Sequence, residues 1–354
     1  MTRVFAALAL VALAVSTAAA QAPPSPPPPP PAAQAAPQYP IVRVGVLSYL
    51  QYDAELKNRQ GFNNFDVTRA YLNINGQLSD TIRFRFTPDI RRTTDGSLAG
   101  SLVVRVKYAF AQFDNVTPRG WIRFGVHQTP WLDFEESINR YRVQGQMFSE
   151  KDGLIPGSAD FGVSDFTPLP KGYGEVHAGV YNGEGFGNAE VNKHKSVQGR
   201  LTVRPFPNAS IAKGFRVSGF YNAGWYAADR PRRLGIVMGS FEHNNLVATA
   251  EVVRATENPL TLVTPRDIDR NGWSVFLEPR QGPTGFAGIF RYDCFDPDDS
   301  ISTNEQNRVI AGAAYWLTIQ RGRVGFVLTN EQVHYDDPTR LDENRILVQT
   351  HIEF

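Results

Sequence analysis

From Ile41 onward the chain alternates apolar and polar residues with a period of two. The clearest stretch is 80–92, D-T-I-R-F-R-F-T-P-D-I-R-R, where Arg83 and Arg85 interleave with Ile82, Phe84 and Phe86. Successive side chains on a strand point to opposite faces, so this segment has one apolar and one cationic face. The same period runs through 41–52, 66–78, 81–90, 101–113, 120–127, 161–167, 173–182, 196–206 and 213–226. It continues through 234–243, 246–255, 272–278, 286–293, 308–319, 323–335 and 345–354. The spacing predicts about 16 strands of roughly 7–13 residues, the length a membrane barrel needs. Tight turns at 78–80, 243–245 and 320–322 alternate with long connections such as 55–65, 256–271 and 294–307. Short turns at one rim and long loops at the other are the habit of outer-membrane barrels.

Within each strand the faces separate. Ala70, Leu72 and Ile74 oppose Arg69, Tyr71, Asn73 and Asn75, with Val67 out of register at the strand start. Leu102, Val104, Val106, Tyr108 and Phe110 oppose Val103, Arg105, Lys107, Ala109 and Ala111. Ile122, Phe124 and Val126 oppose Trp121, Arg123, Gly125 and His127. A soluble sheet and a lipid-embedded barrel both produce such alternation. Three features favour the barrel. There is almost no helical segment to cover a sheet face, and closure removes exposed strand edges. The chain opens like an exported protein. It closes on R-I-L-V-Q-T-H-I-E-F, an alternating strand that stops at Phe354.

The opening has a positive start at Met1–Arg3, an apolar run over 4–15 and an A-x-A site at 18–20. That is the layout of a secretory signal peptide, and the run is too short to span a bilayer. A proline-rich segment follows to Pro40, which reads as an extended polyproline spacer. The organisation is therefore signal peptide 1–20, periplasmic spacer 21–40 and barrel 41–354. Composition narrows the chemistry. A net charge of +1 gives no global field for nucleic acid. Cys294 is the one cysteine, and none of the six histidines stands at metal-ligand spacing with another. No cofactor and no metal centre are expected.

Several segments carry a family resemblance. R-A-Y-L-N-I-N-G at 69–76, the turn at 78–80 and R-F-R-F-T-P-D at 83–89 resemble paired strands of the phosphate-selective porin O and P family. A-F-A-Q-F at 109–113 and R-F-G-V-H-Q-T-P at 123–130 are similar to the next two strands and the entry to the third loop. The likeness is clearest over 67–187. It implies an all-β, transmembrane antiparallel barrel of about 16 strands, a homotrimer, with the long third loop folded into the lumen. Phe354 resembles the terminal signal read by the outer-membrane assembly machinery. Here the third loop runs over 129–160. Its segment 133–140 predicts a short helix with Asp133 at the cap and Glu136 three residues on. An ordinary external loop is the alternative; the length favours the infolded one.

A charge on the lipid face at mid-membrane costs about 2–4 kcal/mol, so the cations of the early strands face the pore. Parity turns Arg43, Arg69, Arg83, Arg85, Arg105, Lys107 and Arg123 inward. A cation-lined channel attracts anions, and the guanidinium fork suits phosphate or carboxylate. Later strands are mixed: Arg200, Arg204 and Arg216 point inward, and so do Glu251, Glu278 and Asp293. The loop adds Asp133, Glu135, Glu136, Glu150 and Asp152 beside Arg140, Arg142 and Lys151. Two readings stay open: an anion-preferring channel, phosphate among its candidate solutes, and a weakly selective pore with a basic wall facing an acidic loop. Barrel enzymes have fewer strands, and no G-x-S-x-G elbow is present. His127 near Asp133 or Ser137 is the pairing that an enzyme reading would need.

Overall fold

The computed structural model describes residues 38–226, 230–259, 262 and 264–354. The signal segment and the spacer before residue 38 lie outside the described residues. The chain from Ile41 forms β1 (Ile41–Lys57), β2 (Asn63–Gln77), β3 (Ile82–Arg92), β4 (Leu102–Asp114) and β5 (Trp121–Gln128). Next come β6 (Ala159–Pro168), β7 (Gly174–Tyr181), β8 (Ser196–Val203), β9 (Phe215–Tyr226), β10 (Arg230–His243) and β11 (Leu246–Glu257). The last are β12 (Ile268–Pro279), β13 (Gly285–Asp296), β14 (Gln306–Ile319), β15 (Gly322–Tyr335) and β16 (Glu343–Glu353). Each pairs antiparallel with its chain neighbours, and β1 pairs with β16, closing a barrel of sixteen strands. Phe354 completes the seam: its N–H donates to the Val46 carbonyl at 3.1 Å, and Val46 N–H donates back at 2.8 Å.

The outer surface is apolar. Phe65, Val104, Phe124, Phe286 and Leu328 are all exposed. Such a belt is what a barrel turns to lipid. Phe84 and Phe86 lie on this face, and Arg83 and Arg85 on the other, which settles the orientation of the arginine-rich strand. Gly76 on β2 must be glycine, because the Phe84 ring covers it and an added Cβ would fall 1.7 Å from a ring carbon.

Beside a register shift near Leu56 at the end of β1, two bulges reset the alternation within strands. Tyr49 pairs with Arg69 while Leu50 pairs with Val67, so Thr68 is an extra residue. That insertion is why Val67 is out of register in the sequence. On β4, Thr87 pairs with Tyr108 while Pro88 pairs with Val106, leaving Lys107 unopposed. A bulge inserts one residue and re-aims everything beyond it. Lys107, Tyr108 and Phe110 therefore all turn inward and are buried. The placement of Tyr108 and Phe110 on the outer face with Val104 and Val106 is corrected.

The main apolar core lies inside the barrel. Residues 129–158 contribute Trp131, Leu132, Ile138, Tyr141, Met147, Phe148 and Leu154, which pack on Leu234, Ile236, Met238, Phe276, Phe295 and Trp316 of the wall. The segment holds two short α-helices, α1 (Leu132–Ile138) and α2 (Phe148–Lys151), with a 3₁₀ turn at Tyr141–Val143 between them. Trp131, not Asp133, occupies the N-cap of α1, with no side-chain cap bond. Asp133 sits in the first turn instead, where a carboxylate complements the helix dipole.

Candidate functional site

A buried loop must satisfy its backbone polar groups without water. Here the wall supplies donors. Arg200 reaches the Pro130 carbonyl at 2.8 Å, Arg291 the Gln146 carbonyl at 3.1 Å, Arg270 the Asp152 carbonyl at 3.3 Å and Arg232 the Leu154 carbonyl at 2.6 Å. Gln349 donates to the Val143 carbonyl at 2.6 Å. Wall carboxylates balance these cations. Glu257 holds Arg232 at 2.9 Å and Arg270 at 3.0 Å; Asp293 holds Arg291 at 2.8 Å and Arg308 at 2.5 Å. Arg140 of the loop donates through Nε to Glu278 at 2.8 Å, and the Tyr141 hydroxyl donates to the same oxygen at 2.8 Å. Gln144 reaches Glu331 at 2.6 Å. The loop is thus bound to the β8–β16 side of the lumen, where inward cations and acids are largely matched.

The β2–β5 side is built differently. Arg85 donates to Asn73 at 2.7 Å and Thr87 at 3.0 Å, and its guanidinium lies 4.3 Å from the Tyr108 ring centroid. Arg123 donates to the amide oxygens of Gln112 and Gln128, each at 2.8 Å, and lies 3.9 Å from the Trp121 ring. Lys107 donates to the Tyr71 hydroxyl at 2.6 Å. None of these three has a carboxylate in ion-pair contact among the described residues. Aromatic faces and neutral oxygens hold the cations in place without cancelling their charge. The remaining three are paired: Arg83 with Asp114 at 2.7 Å, Arg105 with Asp89 at 3.0 Å, and Arg69 with Glu136 at 3.7 Å. Arg43, Arg83, Arg85 and Arg123 line one hollow of about 310 Å³ toward the short-turn rim. Lys107 and Arg69 are buried deeper, beside Tyr71.

Across the gap, α1 presents Asp133, Glu136 and Ser137. Asp133 is exposed and lies within electrostatic reach of Arg123, Arg85 and Lys107, without touching any of them. Arg142 bridges Glu136 at 2.9 Å and Glu150 at 2.7 Å. Burial acts to raise the Glu136 carboxyl, but Arg69 and Arg142 outweigh it and hold it below the usual range. Glu135 turns the other way, into the loop–wall contact, accepting from the Trp131 indole and the Ser149 hydroxyl at 3.1 Å each. Burial pushes its carboxyl up to about 7, against the pull of Arg291 and Ser149. Lys151 lies half-buried on α2.

His127 does not meet Asp133 or Ser137. Its Nε2 lies 2.7 Å from the Ser164 hydroxyl and its Nδ1 3.0 Å from the Gly125 carbonyl. Among the described residues no group of three His, Cys, Asp or Glu side chains is placed to hold a metal ion. Sequence reasoning turned Glu251, Glu278 and Asp293 inward but missed Glu257 and Glu331, the aromatic seats of the cations and the pairing of the acids behind the loop. Register was the available signal for the latter: Asp293 stands directly across from Arg308.

The fold defined by these strands is that of the porin-type outer-membrane barrel. An anion-selective porin from Comamonas acidovorans aligns with a TM-score of 0.62 at 12% identity, over 89% of this chain and 100% of that chain. OmpF of Salmonella typhi, in complex with daunomycin, aligns with a TM-score of 0.60 at 12% identity, over 88% of this chain and 97% of that one. A loop L8 deletion mutant of OmpT, an outer membrane protein of Vibrio cholerae, gives 0.60 at 13% identity, over 89% and 99%. At such identities the likeness is one of fold, and it does not single out the phosphate-selective family. No family model and no curated protein matches the chain by sequence.

Proposed function

We propose that this protein is a passive channel of the bacterial outer membrane for small hydrophilic solutes, with anions favoured. The observation that carries the reading is the contrast in charge pairing. Arg85, Lys107 and Arg123 keep neutral partners on the β2–β5 wall, whereas cations on the opposite wall face carboxylates. Unbalanced cations in a narrow lumen of low dielectric set a positive potential along the path. The same reading includes export by the leader, a homotrimer in the membrane, and phosphate among the solutes carried. Phe354, zipped to β1, fits a terminal signal for the assembly machinery.

Asp133 and Glu136 favour a second reading, a weakly selective pore with a transverse field between the acidic loop and the basic wall. Reversal potential in a planar bilayer under a KCl gradient separates the two. A potential on the chloride side supports anion preference, and current block by millimolar phosphate supports the narrower solute. A potential near zero or on the potassium side favours the weakly selective pore.

A further inference from the structure

A second hollow of about 250 Å³ opens between α1 and the β5–β8 wall, and Arg123 lines both it and the first. Aromatic rings form part of its lining, beside His177, Glu175, Thr129 and Pro130. Trp121 stacks on Phe166 with centroids 5.3 Å apart and 10° between planes, and Phe134 enters from the loop. Two guanidiniums reach it, but they are not equivalent. Arg200 is matched by Glu175 at 2.9 Å and by the Pro130 carbonyl at 2.8 Å. Arg123 has the two glutamine oxygens and the Trp121 and Phe110 faces but no carboxylate, and its Nη2 makes no hydrogen bond among the described residues. Asp133 stands at the loop edge without a hydrogen-bond partner among the described residues. Ser137 beside it donates its hydroxyl to the Phe134 carbonyl at 2.6 Å.

These groups select a particular kind of anion. An inorganic anion entering here loses hydration against ring faces that donate nothing to it. A planar ring finds offset or edge-on partners in Trp121, Phe166 and Phe134. Its carboxylate meets the open Nη2 edge of Arg123, in a charge-assisted hydrogen bond. Asp133 repels a second negative charge but accepts from a hydroxyl or amine. The volume suits one substituted six-membered ring.

We propose that this hollow binds small aromatic monocarboxylates carrying a hydrogen-bond donor across the ring, as 4-hydroxybenzoate does, on their way through the pore. The site rests on the channel reading above for its role in passage, though not for its binding chemistry. The test therefore reads both. The refolded chain is placed in planar bilayers, and single-channel current is titrated with 4-hydroxybenzoate, benzoate, cyclohexanecarboxylate and inorganic phosphate. Tryptophan fluorescence of the same protein in detergent is titrated in parallel. The expected result is block by 4-hydroxybenzoate at a concentration about fivefold or more below that of cyclohexanecarboxylate or phosphate, with a matching fluorescence change. Phe166→Leu, which touches none of the pore cations, should raise that concentration about fivefold while leaving KCl conductance within about twofold. Asp133→Ala should bring benzoate level with 4-hydroxybenzoate. Conductance with equal block by all four acids and no fluorescence response overturns the site and leaves the channel standing. Binding by fluorescence without any conductance supports the site and overturns the channel.

Discussion

The two sides of the lumen use the same residue types for different ends. On β10–β16, arginines and carboxylates are buried together: Arg291 and Arg308 flank Asp293, and Arg232 and Arg270 flank Glu257. Arg291, Arg232 and Arg270 also donate to loop carbonyls. On β3–β5, Arg85 and Arg123 rest on aromatic rings and amide oxygens. The first side holds a loop; the second keeps Arg85 and Arg123 clear of carboxylates. A count of inward arginines cannot tell these apart, because what matters is the partner. Pairing quenches a guanidinium as an anion site, and stacking does not.

The largest effect is expected where the loop is fastened. Glu278 is fully buried and receives Arg140, Tyr141 and Arg280. Removing one partner of a buried ion pair costs about 3–5 kcal/mol, because the other charge stays buried and unmatched. Glu278→Ala should therefore loosen residues 129–158, raise open-channel conductance and current flicker, and lower the temperature of barrel unfolding followed by gel mobility. Unchanged conductance and stability would mean that the apolar contacts alone seat the loop.

Charge reversal of the open side comes next. Arg85→Glu together with Arg123→Glu should move the chloride-to-potassium permeability ratio about tenfold toward potassium, equivalent to about 1.4 kcal/mol. Arg308→Gln, on the matched side, leaves Asp293 with Arg291 and should move the ratio less than about twofold. Equal shifts from the two sides would erase the distinction between them. Asp133→Asn is a smaller lever. It removes one unpaired carboxylate facing the cations and should raise anion preference about twofold in the same measurement.

The barrel was legible in the sequence because lipid and lumen impose alternation on every strand. All sixteen predicted segments are strands in the structure, several extended at the rims, as β12 begins at Ile268 and not at 272. Rim positions meet neither lipid nor a packed lumen, so they carry no alternation to read. The inward face of β4 beyond Lys107 was not legible. The inserted residue shifts parity by one, yet Tyr108 and Phe110 are apolar and continue the outer pattern by eye. The cations themselves were proposed from parity. Their partners were not, since Arg140 and Glu278 are 138 residues apart and meet only through the inserted loop.

The smallest effect sharpens the comparison by pH. Glu135 is the acid of α1 that faces the fastened side and not the pore. Glu251 and Arg291 face it from the wall, and Glu136 and Glu150 act on it from the loop. Burial raises its carboxyl from the ordinary 4.5 to about 7. The folded protein thus holds this proton more tightly than the unfolded chain does, and stability falls as pH rises through that window. The seat of the loop should be firmest below about pH 4.5 and weaken up to about pH 7. Amide exchange over 129–158, corrected for its intrinsic pH dependence, should lose protection between pH 5 and pH 7 while the β1–β16 seam keeps its own. Glu135→Gln carries no titrating proton and should flatten that change. If the variant shows the same loss as the parent protein, the weakening belongs to another acid on the matched side, and Glu251 is the next to replace.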